Sequence, residues 1–231
     1  MQFEVVLKEA TPMILSGLKV TVLISVVSLA IGMAVGLISC LFGLSKSKVL
    51  RSISAVYVWL IRGTPMIVQA FIVYYGVPMM IRPVSPNFII SEFMAGVITL
   101  SLNAGAYLSE IFRSGIQAVD VGQVEAARSL GIPASRTMAR IVLPQAFKIT
   151  IPSIVNQFII TVKDTSILSV IALEEICNQA KQYSASTYIY FETYIFVGIC
   201  YLVVISALMV VSKFVEKKFR YDKKSSSKKS S

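Results

Sequence analysis

Five stretches of the chain stay apolar over lengths that a lipid bilayer sets. A helix needs about 20 predominantly apolar residues to cross a hydrocarbon core of about 30 Å. Met13 to Leu44 is the first such stretch, interrupted by small residues and a few polar ones such as Lys19. Ile53 to Ile81 is the second, broken by Arg62-Gly63-Thr64-Pro65. The third runs from about Phe88 to Phe112, the fourth from about Ile149 to Leu173, and the fifth from Phe191 to Ser212. The pattern predicts an all-α membrane protein with five transmembrane helices. Residues 1–12 form a short external segment, residues 13–212 the membrane domain, and residues 213–231 a basic tail.

Composition agrees. Hydrophobic residues make up 55% of the chain and charged ones 15%, with a mean hydropathy of +0.74. Soluble domains carry about 25% charged residues, so the membrane class follows before any motif is read. A length of 231 residues suits one bundle and leaves no room for a separate catalytic domain. The first apolar run is far longer than the core of about 7–15 residues in a signal peptide, so it reads as a retained helix. Gly32 and Gly36 within it have the GxxxG spacing that lets two helix backbones approach.

Charge fixes an orientation. The net charge is +10, and the last nineteen residues hold eight of the 22 Lys and Arg. The gaps after the first and third crossings hold most of the others, so sixteen positive charges lie on one side and four on the other. Positive charge concentrates on the cytoplasmic side. The expected topology is therefore multi-pass, with the N-terminus outside and the C-terminus in the cytoplasm. The same distribution argues against nucleic-acid binding, which needs a basic patch on a folded surface. The tail beyond Arg220, Lys- and Ser-rich, cannot bury a core and is expected to be disordered. Its lysines can rest on anionic membrane lipid or stay solvated. The three cysteines (Cys40, Cys177, Cys200) have no paired spacing and the chain has no histidine. A metal site or a disulfide framework is not expected.

The third and fourth crossings are joined by about 35 residues, Arg113 to Lys148, on the cytoplasmic side. That is long for a connection in a compact domain and predicts structure with a purpose. Asp120 and Gln123 have the spacing of a capping box. Val-Glu-Ala-Ala-Arg-Ser-Leu continues as a helix, Gly131 can end it in the left-handed conformation, and Pro133 suits the first turn of a second helix. Pro144 should bend the chain back toward the membrane.

Glu125-Ala126-Ala127, three residues, Gly131, nine residues, Ile141, one residue and Leu143-Pro144 together resemble the EAA loop of ATP-binding-cassette (ABC) importer permeases. Gly17-Leu-Lys-Val-Thr21, Arg62-Gly-Thr-Pro65, Ala106 to Arg113, Gly122-Gln123 and Lys163-Asp-Thr-Ser166 are similar to the polar amino acid branch of that family, and the likeness covers roughly residues 15–175. The resemblance implies a permease subunit in the bacterial inner membrane. It implies two ABC ATPase subunits on the cytoplasmic face, an extracellular or periplasmic solute-binding protein, and a second permease subunit, identical or paralogous. ATP would be used by the partner ATPase, with no cofactor bound by this chain. Gly122, Gln123, Glu125, Ala126, Ala127, Arg128, Gly131, Ile141, Leu143 and Pro144 are the implied ATPase-coupling residues. Ala126 and Ala127 would permit close packing, with Glu125 and Arg128 at the rim.

Charges inside a bilayer are costly and point to function. Arg62, Glu110, Lys163 and Asp164 lie in or near apolar runs, and with Thr165 they are the candidate substrate path. A zwitterionic amino acid needs an acceptor for its ammonium, here Asp164, and donors for its carboxylate, here Arg62 or Lys163. The alternative is that these charges pair with one another for structure. A secondary transporter with protons on Glu110 or Asp164 is a competing reading, though no internal repeat is evident. An intramembrane enzyme is another, without histidine, metal-ligand cluster or paired carboxylates to support it. No G-x-x-x-x-G-K-[ST] loop is present, so the chain is not itself the ATPase.

Overall fold

The first apolar run folds as one helix of 34 residues, α2 (Thr11–Leu44), behind a short helix α1 (Phe3–Glu9). Apolar residues surround α2, so its inward face is chosen by size. Gly17, Thr21, Ser25, Ser28, Gly32, Gly36 and Ser39 recur at helical spacing and are buried, while Leu15, Leu23, Ile31, Leu37 and Leu41 point outward. This is how membrane helices pack, because hydrocarbon gives large apolar side chains no reason to hide. The computed structural model describes residues 2–219, and every regular element among them is helical. The part of the predicted tail beyond residue 219 lies outside the described residues.

α3 (Lys48–Gly63) and α4 (Met66–Phe71) meet at the Arg62–Pro65 break, where the chain bends by 106°. Beyond α4, a wide π-helical turn (Ile72–Gly76) leads into α5 (Val77–Ile81). α6 (Glu92–Gln117) is the central helix, and its pairing with α2 is the most extensive in the molecule. The Gly32/Gly36 spacing makes this pairing possible. A Cβ at Gly36 would sit 2.8 Å from Leu108 Cβ and 2.9 Å from the Gly105 carbonyl oxygen.

α7 (Val121–Ser129) follows, then α8 (Ala134–Thr137), a second π-helical turn (Met138–Val142) and α9 (Leu143–Asp164). The second loop helix is thus the start of one long helix that runs through a 3₁₀ segment to Ile171. Pro144 does not turn the chain back. It occupies the second position of α9, immediately after the π turn. Pro78 stands in the same relation to the first π turn. Proline lacks an N–H and crowds the carbonyl four residues back, and a local widening relieves both faults.

α10 (Ile176–Thr187) and α11 (Tyr190–Phe219) complete the fold, α11 running past the predicted limit of Ser212. α10 begins against α2. Gly17 leaves room for the backbone there, since a Cβ would lie 2.9 Å from the Glu175 carbonyl carbon. Thr21 Oγ1 accepts from Ile176 N at 3.4 Å. The Gly17–Thr21 motif therefore has a structural ground: one turn of α2 receives the start of α10.

Among the described residues, three helical stretches are long and apolar enough to cross a membrane: Thr11–Leu44, Ala134–Ile171 and Tyr190–Lys217. The bent pair Lys48–Gly63 and Met66–Ile81 makes a fourth if it counts as one span. α6 has the length, about 39 Å at 1.5 Å per residue. It is less apolar because Gly96, Thr99, Ser101, Gly105 and Ser109 face its neighbours.

Candidate functional site

The 113–148 loop is built around α7. Asp120 caps it, its carboxylate accepting from Gly122 N at 2.7 Å. The capping box is only half formed. Gln123 does not reach back to Asp120; its side-chain oxygen accepts from Gln145 Nε2 at 2.6 Å and ties α7 to α9. Gly131, at φ +76°, ends the helix. Ile132 N donates to Ala127 O at 3.1 Å and Gly131 N to Arg128 O at 3.0 Å, the two bonds of a Schellman closure. Pro133 serves as the cap of α8, one position earlier than expected.

The faces of α7 divide its motif. Ala127 is buried against its own chain, and Val124 packs on Val119, Val142 and Ala146. Glu125, Ala126 and Arg128 point outward. Val121 is 65% and Leu130 81% exposed beside them. Ala127 thus packs inward, and Ala126 alone of the two alanines faces out. Gly122 is exposed near the start of α7, and Ile141, Leu143 and Pro144 follow in the long helix, with Leu143 and Pro144 exposed.

The polar residues expected along the path separate into two places. Arg62, at the end of α3, pairs with Glu110 on α6. Its guanidinium also lies 5.1 Å from the centre of the Tyr107 ring. Tyr107 and Glu110 are three residues apart, so both present to Arg62 from one face. The pair borders a cavity of about 450 Å³, with Ser54, Trp59, Ser109 and Arg113 among its walls. Ser39, Ser54 and Ser109, one each from α2, α3 and α6, are buried and linked through their hydroxyls at 3.0 and 3.1 Å.

Lys163 lines a different cavity, of about 510 Å³, with Ser166, Cys177 and Tyr201. Successive helical residues point about 100° apart, and Asp164 is half-buried beside it. Thr165 is fully buried, its hydroxyl donating to Val162 O at 2.8 Å. Among the described residues the one ion pair is Arg62–Glu110. The structure thus joins Arg62 to Glu110, a pairing the sequence did not indicate, and leaves Lys163 and Asp164 outside that contact.

Three contributions escaped the sequence reading. Tyr107 carries no signal beyond its spacing from Glu110. Gln69 holds the break together: its amide donates to Ile61 O at 2.7 Å, Thr64 O at 3.1 Å and Thr64 Oγ1 at 2.9 Å. Proline four residues before a glutamine was the available clue. Glu175 is fully buried at the start of α10 and accepts from Cys177 N (2.9 Å), Asn178 N (2.7 Å) and the Tyr201 hydroxyl (3.1 Å). Burial pushes its carboxyl above the usual carboxylate range, and these donors pull it back.

Comparison with known proteins gives this geometry a family. Residues 28–221 match the binding-protein-dependent transport system inner membrane component. The chain is 42% identical over 209 residues to the arginine transport system permease protein of Bacillus subtilis strain 168, covering 90% of this chain and 93% of the relative. It is 36% identical over 211 residues to the nopaline transport system permease protein of Agrobacterium fabrum, covering 90% and 86%. A crystal structure of an amino acid ABC transporter with histidines superposes with a TM-score of 0.88 at 36% identity, covering 94% of this chain and 99% of that one. The chain belongs to the binding-protein-dependent transport system inner membrane components, as an amino acid permease of the ABC transporters.

Proposed function

We propose that the chain forms the translocation path of an ATP-driven importer for polar amino acids and is driven through α7 by a separate ATPase. In this reading five crossings are made by α2, the bent α3–α5, α6, the long helix containing α9, and α11. The N-terminus is outside and the C-terminus cytoplasmic, as the positive charges direct. A solute-binding protein delivers substrate from outside, and a second permease subunit completes the path. Relatives named for arginine and nopaline transport support a polar amino acid as cargo.

The outward face of α7 carries the proposal. A rigid two-bond closure ends the helix, two large apolar residues are exposed beside it, and Glu125 and Arg128 flank the small Ala126. That is the anatomy of a docking patch, an apolar centre with a polar rim. ATPase closure can move the permease only through contacts that differ between its two states. The path itself is assigned to Arg62 and Glu110 on one wall and to Lys163 and Asp164 around the end of α9, while Thr165, expected beside them, is buried in the packing behind. A cysteine at Ala126 should cross-link to the partner ATPase in intact membranes, and nucleotide should change the yield. No cross-link there, with efficient cross-linking from another face, would rule α7 out as the coupling element.

A further inference from the structure

The Arg62–Glu110 pair sits in a membrane-spanning bend yet is not sealed. Its two side chains keep 39% and 47% of their surface exposed. Hydrocarbon does not tolerate such a pair, so this wall of α3 and α6 faces water or protein. Both residues open onto the 450 Å³ cavity, where Arg113 is a further cation and Ser54 and Ser109 form a polar floor. The floor is already satisfied through Ser39, so it does not compete for the pair.

Opening the pair toward a solute poses a charge problem. Taking either partner away strands the other ion in a poorly solvating place. An ammonium alone could replace Arg62, or a carboxylate alone could replace Glu110, and each would leave one residue bare. A molecule with both groups on one carbon replaces both partners together. Its carboxylate takes the planar, two-pronged donor of Arg62, and its ammonium takes Glu110.

We propose that Arg62 and Glu110 read the α-carboxylate and α-ammonium of an amino acid, the ion pair exchanging partners with the zwitterion so that no charge is left bare. This rests on the reading of this face as the transport path. Arg113 makes the cavity net positive among its described ionisable residues, which draws the carboxylate end in first. The rest of the cavity wall, Ala55, Val58, Trp59 and Gly63, adds no further charge, so amino acids of differing side chains are expected to bind.

The test is equilibrium binding of labelled glutamine and arginine to the purified permease–ATPase complex in nanodiscs, without solute-binding protein. Competitors are glutaramate, which is glutamine without its ammonium, and 4-aminobutanamide, which is glutamine without its carboxylate. Both amino acids should bind, and each truncated competitor should be weaker than glutamine by about tenfold or more, the value of a lost charge-assisted bond. Glu110→Gln should weaken glutamine but not glutaramate, so that their ratio falls toward one. Arg62→Gln should do the same for 4-aminobutanamide. If a single variant fails to assemble, the Arg62→Gln/Glu110→Gln double variant leaves neither charge bare, and both ratios should collapse in it. A pair that serves structure alone would lower every affinity together and leave the ratios unmoved, which would overturn the proposal, as would failure of both amino acids to bind. ATP-driven uptake by the unaltered protein tests the transport reading separately.

Discussion

The side-chain amide of Gln69 on α4 donates to the Ile61 carbonyl of α3 at 2.7 Å, across a bend of 106°. Thr64 Oγ1 donates in turn to Leu60 O at 2.8 Å. These bonds occupy carbonyls that the end of α3 and Pro65 leave without helical partners. The Arg62–Pro65 break is therefore a rigid elbow that presents Arg62 to Glu110. Gln69→Leu removes the donor of the part-buried Ile61 carbonyl, at a cost of about 0.5–1.5 kcal/mol. The purified subunit should melt at a lower temperature. An unchanged melting temperature would mean that the elbow is held by other contacts.

The glycines of this chain are not equivalent. At Gly36 any side chain meets Leu108 Cβ and the Gly105 carbonyl, and overpacking of this kind costs about 1–3 kcal/mol. A Cβ at Gly198, in α11, meets nothing within 4 Å. Gly36→Val should lower thermal stability and the yield of folded protein. Gly198→Ala should raise stability by about 0.5–1 kcal/mol through the loss of backbone freedom in the unfolded chain. Equal effects of the two changes would contradict the close α2–α6 packing.

Gly131 closes α7 at φ +76°, and its Cβ position is open space. Backbone conformation is the sole constraint there, so the choice of residue matters more than its size. A β-branched residue pays the left-handed penalty of about 1–2 kcal/mol, whereas asparagine adopts this region readily. Gly131→Val should retain membrane insertion and lose co-purification with the ATPase, and Gly131→Asn should keep most of it. Loss of binding in both variants would point to side-chain contact in place of turn geometry.

Asp164→Asn tests the other wall of the proposed path. Uptake should fall sharply while assembly with the ATPase is retained, measured by transport and by co-purification on one preparation. Unaltered uptake kinetics would remove Asp164 from the path.

The first and last long helices were legible because bilayer thickness leaves a run length in the sequence that packing cannot erase. α2 and α11 appear nearly where the runs of Met13–Leu44 and Phe191–Ser212 put them. α10 was illegible for the opposite reason. Its composition is polar, and it is held by Gly17 and Thr21, more than 150 residues away, and by the buried cap Glu175. Pro144 misled because a proline reads as a bend, while a π turn lets the helix continue through it. In the loop, motif spacing located α7 and its Gly131 closure, but the inward turn of Ala127 depends on what lies beneath. Arg62 and Glu110 were each marked by charge within a span. Their partnership is a property of how α3 leans on α6, and no local pattern carries it.

The central claim is that this chain conducts a polar amino acid only when a partner hydrolyses ATP. The direct measurement is uptake into proteoliposomes containing the chain with its cognate ATPase and solute-binding protein, using labelled polar amino acids with and without internal ATP. The account predicts accumulation of at least one of them only when ATP is present, abolished when the ATPase is omitted. Accumulation driven by a proton gradient alone, without the ATPase, would contradict it and identify a secondary transporter.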